Sequence, residues 1–187
     1  MEGRYRSQYR TASTRLTDWD YGAAGYYFVT ICGQDQRSMF GAIQGETLIE
    51  TPIGRIAHEC WKDIPEHFPN ACLDEFVIMP NHVHGIVILR DRASVETLHA
   101  TSLQPSHPET KSQTMSRISP KAGSLSTIIR SYKSAVTRQV RLAGYTDFAW
   151  QRNYYEHIIR DTESLHKIRE YIQNNPLRWT LDEYFRS

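Results

Sequence analysis

Residues 73 to 89 constrain the fold more than any other stretch. Leu73 to Met79 and His82 to Leu89 are apolar runs rich in β-branched residues, separated only by Pro80-Asn81. Such runs read as buried strands, and a connection this short joins antiparallel neighbours. Side chains on a strand alternate faces, so His82 and His84 project from one face while Val83 points to the other. Two neutral imidazoles side by side at a sheet edge make half of a metal site. The competing reading is a pair of histidines satisfied by local hydrogen bonds.

The remaining pattern builds around these strands. Tyr26 to Cys32 reads as a strand bounded by Gly25 and Gly33, and Met39–Ile43 with Thr47–Thr51 as a short hairpin. From Pro52 the period becomes helical, with Ile53, Ile56, Ala57, Cys60, Trp61 and Ile64 on one side. Leu125–Leu142 gives a second helix that buries Ile128, Ile129, Tyr132, Val136 and Val140, and Ala149–Ile159 reads as another strand. Asp161–Asn175 is a final helix, with Thr162 expected as N-cap and Glu163 in the first turn. Pro176 is expected to end it and to push Asn175 out of the right-handed helical region. The order is strand, hairpin, helix, two strands, helix, strand, helix. It predicts an α+β domain with an antiparallel sheet and helices on one face.

At 187 residues and 40% apolar content, the chain suits one domain spanning 1–187. Two segments stand apart: a basic N-terminal arm (1–20) and a Ser/Thr/Pro-rich insert (91–123) expected to be flexible. No apolar run reaches the length needed to span a bilayer, and the N-terminus lacks the apolar segment of a secretory signal. Cys32, Cys60 and Cys72 are odd in number and lack CxxC spacing, so a reducing cytoplasm is expected rather than a disulfide framework. Net charge is only +1, but its distribution is uneven. Arg4, Arg6, Arg10 and Arg15 face only Glu2, and Ser124–Gly144 holds Arg130, Lys133, Arg138 and Arg141 with no acid. Such clusters suit a localised phosphate-binding surface, although ordinary solvated helix faces give the same pattern.

Downstream, Tyr171 and Asn175 stand four residues apart and so share one helix face. A phenol and an amide placed there can both reach a metal held by the histidine pair. The alternative is a tyrosine flanking the core stripe and an asparagine acting only as a C-cap. Together, Tyr27-Phe28-Val29-Thr30-Ile31-Cys32, Met79-Pro80-Asn81-His82-Val83-His84-Gly85, Trp150-Gln151-Arg152-Asn153-Tyr154-Tyr155-Glu156-His157-Ile158-Ile159-Arg160 and Tyr171-Ile172-Gln173-Asn174-Asn175-Pro176 resemble the HUH single-tyrosine transposases of bacterial insertion sequences. The resemblance is closest to the REP-associated tyrosine transposases and covers about residues 20–179 in the family's order. The insert after the histidine strand departs from that pattern.

The resemblance implies a ferredoxin-like or RRM-like core with the catalytic tyrosine on the C-terminal helix. It implies His82, His84 and Asn175 as ligands of a divalent metal, Mg²⁺ or Mn²⁺, and Tyr171 as the nucleophile. It further implies a covalent 5′-phosphotyrosine, a free 3′-hydroxyl, and hairpin-forming single-stranded DNA as substrate. No membrane partner is expected, a homodimer stands open, and a nucleoid-associated cytoplasmic location follows. Arg4, Arg6, Arg10, Arg15, Arg130, Lys133, Arg138, Arg152 and Lys167 are candidate DNA contacts. Lys167, one turn before Tyr171, is also placed to lower the phenol pKa, with a solvated lysine as the plainer reading. Trp150 suits base stacking or the core, adjacent Tyr154 and Tyr155 should face opposite sides of a strand, and His157 is a spare ligand or a hydrogen-bonded histidine. Two rivals remain: a catalytically silent RRM-like nucleic-acid-binding module, and a metallohydrolase that activates water at the histidine pair.

Overall fold

The computed structural model describes residues 19–91 and 121–185. Its elements are β1 (Gly25–Cys32), β2 (Gly41–Gln44), β3 (Thr47–Glu50), α1 (Pro52–Lys62), α2 (Ile64–His67), β4 (Ala71–Ile78), β5 (His82–Leu89), α3 (Leu125–Leu142), β6 (Tyr155–Ile159) and α4 (Thr162–Asn174). A 3₁₀ segment, Pro176–Leu181, follows α4. Four strands form an antiparallel sheet in the order β4-β5-β1-β6, and β2-β3 is a separate hairpin. This is the α+β architecture that the element order predicts.

Strand register decides what each face carries. In β1 and β5, Thr30 lies opposite His84 and Cys32 opposite His82; in β6, Tyr155 lies opposite Thr30. Paired residues share a face, so Phe28, Thr30, His82, His84, Ile86 and Tyr155 line one side of the sheet. Tyr27, Val29, Ile31, Val83 and Val87 line the other, where α1 and α3 bury Ala57, Trp61, Ile128, Tyr132 and Val136 against them. The C-terminal helix α4 packs on the histidine side, where Phe28, Ile86, Ile159 and Ile172 form a smaller cluster with Leu165 and Ile168. The main core therefore fixes the sheet from behind and leaves the histidine face for α4 and the site.

Two local devices make this arrangement tight. Thr51 caps α1 by accepting the Gly54 amide at 3.1 Å, and Pro52 occupies the first turn, where its missing N–H is no loss. Gly85, in the middle of β5, faces the main core under the indole of Trp61. A Cβ there would stand 2.3 Å from Trp61 Cζ2, so only glycine admits the ring.

Three local expectations are corrected. The strand expected over Ala149–Ile159 is regular only over Tyr155–Ile159, and Trp150 makes a lone bridge to Gly33. Here the chain runs past the end of β1, with Gln151 N–H donating to Cys32 O at 2.9 Å, while Lys133 Nζ takes the carbonyls of Gln151 and Arg152. The N-cap of α4 is Asp161 rather than Thr162: Asp161 is extended and its Oδ1 accepts the Ser164 amide at 2.7 Å. Asn175 also stays right-handed helical (φ −61°, ψ −42°). Pro176 ends the α-helical hydrogen bonding but opens the 3₁₀ segment, a first position that needs no amide hydrogen.

Candidate metal and tyrosine site

The site begins with a tautomer. The Asn81 amide nitrogen donates to Gln36 O at 3.0 Å and Tyr184 O at 2.7 Å, which turns Asn81 Oδ1 toward His82. An amide oxygen only accepts, so His82 Nδ1 carries the proton of their 2.8 Å bond and Nε2 keeps its lone pair. His84 Nδ1 is held by Thr30 Oγ1 at 2.9 Å, the neighbour that the β1–β5 register supplies. Both rings are thus anchored through Nδ1 and present Nε2 to the same point, 2.9 Å apart. A single proton between them satisfies the pair in metal-free protein. With Nδ1–H on both rings, the lone pairs converge and a shared cation satisfies them.

Burial keeps both imidazoles neutral. It lowers the His82 pKa to about 4, offset in part by the Asp182 carboxylate. His84 is held well below the usual histidine value by burial, and a charge on His82 would lower it further. Neutral, anchored imidazoles are what a metal site needs.

The C-terminal helix brings the other groups. Tyr171 reaches over the sheet, its hydroxyl 3.1 Å from His84 Nε2 and its ring edge-on to Phe28 at 6.1 Å between centroids. One helical turn later Asn175 is buried, and its Nδ2 donates to Asp182 Oδ2 at 2.9 Å. That bond leaves Asn175 Oδ1 buried with no hydrogen-bond partner. An orphaned buried amide oxygen, on a side chain bonded to the Asp182 that clusters with the two imidazoles, is the strongest mark of a cation site here. The donor set of two imidazoles and oxygens suits a divalent ion.

Asp182 is the functional residue that sequence reasoning missed. One of its oxygens lies with the His82 and His84 nitrogens in a group whose atoms are all within 4.8 Å of one another. Its Oδ1 accepts the Tyr184 amide at 2.7 Å, and its Oδ2 lies 3.5 Å from the Tyr171 hydroxyl. No spacing rule points to it, because the 3₁₀ segment folds it back onto the site. Burial is the main cause that raises the Tyr171 pKa to about 12, and the Asp182 charge adds to it, against a lowering hydrogen bond from Asn175. The phenol is therefore protonated at neutral pH.

A pocket of about 430 Å³ opens beside these groups, lined among others by Phe28, His84, Tyr155, Tyr171 and Asp182. Tyr155 faces this pocket while Tyr154 packs toward the main core, as alternation requires. His157 is exposed and stands outside the clustered ligands.

The expected DNA contacts are not gathered at this pocket. Arg130, Lys133 and Arg138 lie on α3, behind the opposite face of the sheet. Lys133 is tied to the Gln151 and Arg152 carbonyls, and Lys167 pairs with Glu163 at 2.6 Å, one turn from Tyr171. Lys167 is not among the groups that shift the phenol. Arg152 is exposed on the segment leading into β6. Trp150 packs half-buried against Phe40, Tyr132 and Phe148, with its Nε1 donating to Lys133 O. Arg4, Arg6, Arg10 and Arg15 lie outside the described residues, as do positions 92–120 of the insert.

Comparison with known proteins accords with this picture. No protein-family model matches the chain. An uncharacterized protein of Haemophilus influenzae is 36% identical over 173 residues, covering 92% of this chain and 92% of the relative. Among solved structures, a REP-associated tyrosine transposase bound to a REP hairpin aligns with 92% of this chain and 77% of its own. Its TM-score is 0.57 at 17% identity, a likeness of fold that bears out the expected architecture. No helix among the described residues is long and apolar enough to cross a membrane.

Proposed function

We propose that this chain, which belongs to one family with the Haemophilus influenzae protein and has the fold of a REP-associated tyrosine transposase, cleaves and rejoins hairpin-forming single-stranded DNA through Tyr171. The observation that carries this reading is the position of the Tyr171 hydroxyl, 3.1 Å from His84 Nε2 and beside the orphaned Asn175 oxygen. His82, His84 and Asn175 would hold a divalent cation, Mg²⁺ or Mn²⁺, with Asp182 in reach as a carboxylate ligand. When bound, the ion supplies positive charge that polarises a phosphodiester and stabilises its transition state.

The protein's own groups then divide the work. The Tyr171 oxygen attacks phosphorus, forming a tyrosine–phosphate bond while the bond to the leaving sugar oxygen breaks. The phenol enters this step protonated, so its proton must leave; Asp182 Oδ2, 3.5 Å away, is a carboxylate in reach to take it. That proton then passes to the leaving oxygen, which departs as a hydroxyl. The family resemblance assigns the phosphate to the 5′ side and the hydroxyl to the 3′ side. Bond energy kept in the phosphotyrosine lets a second hydroxyl reverse the step, so rejoining needs no nucleotide cofactor. Phe28 and Thr30 hold Tyr171 and His84 in place through ring packing and a hydrogen bond.

The test is incubation with labelled hairpin DNA and Mn²⁺, followed by a denaturing gel. Wild-type protein should form a covalent adduct, and Tyr171→Phe, which removes one hydroxyl, should form none while still binding the hairpin. An adduct that persists in the Phe variant refutes the assignment. Wild-type binding without any adduct would leave a silent DNA-binding module, and metal-dependent cleavage without an adduct a water-activating hydrolase.

A further inference from the structure

We infer that a groove on α3, behind the sheet from Tyr171, binds the unpaired DNA strand that leads into the catalytic pocket. The inference rests on the DNA-transferase reading above and names where the flank of that substrate is held. Among the described residues, no lysine or arginine lines the catalytic pocket, and Asp182 and Glu183 stand on its wall. A polyanion approaching it must be held by charge located elsewhere. Among the described residues, the longest acid-free stretch is α3 and its flanks, from Lys121 to Thr146.

The groove there has the two components that single strands require: cations for the backbone and apolar surface for the bases. It encloses about 650 Å³, with Arg138 and Arg141 on one side and Leu142 and Trp150 among its apolar walls. Leu142, 79% exposed, supplies apolar surface at the rim of the groove next to the arginines. Both arginines are exposed, and among the described residues neither forms an ion pair with an acid. Trp150 is held in place by its bond to Lys133 O and by three aromatic neighbours, and what it exposes adds apolar surface to the groove.

A path connects this groove to the pocket. Trp150 lines the first and Tyr155 the second, and the chain between them carries exposed Gln151, Arg152 and Asn153 around the end of the sheet. Five extended residues span at most about 17 Å, so one strand reaches both sites within a few nucleotides. Lys133 fixes the start of this segment through the Gln151 and Arg152 carbonyls, which holds Arg152 at the crossing. A duplex stem would gain charge from the arginines but nothing from Trp150 and Leu142, and this favours the unpaired strand.

The test is fluorescence anisotropy in chelator, so that binding is read without cleavage, on a hairpin with a single-stranded tail at either end and on the same hairpin blunt. Arg138→Ala/Arg141→Ala should weaken tailed-hairpin binding by up to about 25-fold at 0.1 M salt and lower the log–log salt slope by about 1.4, the values for two single-strand phosphate contacts. Leu142→Ser should weaken the tailed hairpin alone, at unchanged slope. Blunt-hairpin affinity should be the same for all three proteins. Equal losses on both hairpins would overturn the proposal in favour of a stem clamp, and no loss on either would remove DNA from the groove. Failure of the transferase reading shows separately, as absence of adduct in the gel assay, while the anisotropy comparison still decides the groove.

Discussion

Acidifying the metal-free protein should destabilise it through its histidine pair. The folded state holds His82 at a pKa of about 4, whereas an unfolded histidine titrates near 6.5. Between those values the unfolded chain binds the proton and the native site refuses it, so stability falls as pH falls from 6.5 toward 4 and is fully present above 6.5. For His82 alone, the two-state linkage integral from pH 7 to pH 4.5 is on the order of 2 kcal/mol. His84, also held well below the usual histidine value by burial, adds to the loss. Against a total stability of about 5–15 kcal/mol, this is large enough to move a urea midpoint visibly. The assay is urea unfolding in chelator at several pH values, for the wild type and for His82→Gln/His84→Gln. The double variant removes both titrations, so its stability should be flatter over this window. Parallel curves for the two proteins would refute the claim that burial neutralises these rings. With Mn²⁺ in excess, the wild type should gain stability near neutral pH, about 2.7 kcal/mol at one hundred times the dissociation constant, and lose that gain as protons displace the ion.

The remaining expectations concern ligands, packing and substrate form. Calorimetric titration with Mn²⁺ should show His82→Ala and His84→Ala each losing most of the affinity and Asn175→Ala losing less, since an amide oxygen is the weaker ligand; unchanged affinity in the double histidine variant removes the site. Gly85→Ala should lower stability by about 1–3 kcal/mol, because its methyl meets Trp61 at 2.3 Å, and a thermal melt equal to wild type would show that the indole moves freely. Hairpin-forming single strands should bind much more tightly than the same sequence as perfect duplex, with affinity falling steeply as salt rises. Equal affinities in a salt-dependent binding titration would indicate a different substrate.

The elements that sequence reveals best are those whose pattern and environment agree. The Leu125–Leu142 helix is read to the residue, since Ile128, Ile129, Tyr132, Val136 and Val140 form one stripe and all are buried. The same-face placement of His82 and His84 follows from strand alternation, and the shared face of Tyr171 and Asn175 from helical spacing. What remained hidden depends on contacts distant in sequence. Trp150 and its neighbours read as strand, yet their carbonyls are taken by a lysine from α3 and not by a ladder. Asp182 carries no local signal and reaches the site only because Pro176 continues a helical path where a stop was expected. The basic residues of α3 were visible as a cluster, but only the fold shows that they face away from Tyr171.

The Asn81 amide has a consequence for when the site becomes competent. Its donor end is held by two carbonyls from residues 45 and 103 positions away, Gln36 and Tyr184. The choice of which His82 nitrogen carries the proton is therefore made by tertiary docking and not by the β5 strand. A folding intermediate with the sheet assembled but the last residues undocked leaves Asn81 held by Gln36 O alone, without its shorter bond to Tyr184, and His82 freer to exchange tautomers. Cation affinity should accordingly arrive late in refolding, after the sheet has formed. Nitrogen-15 shifts of the His82 ring, followed against backbone amide protection, would time the two events, and a ring locked before Tyr184 docks would contradict this order.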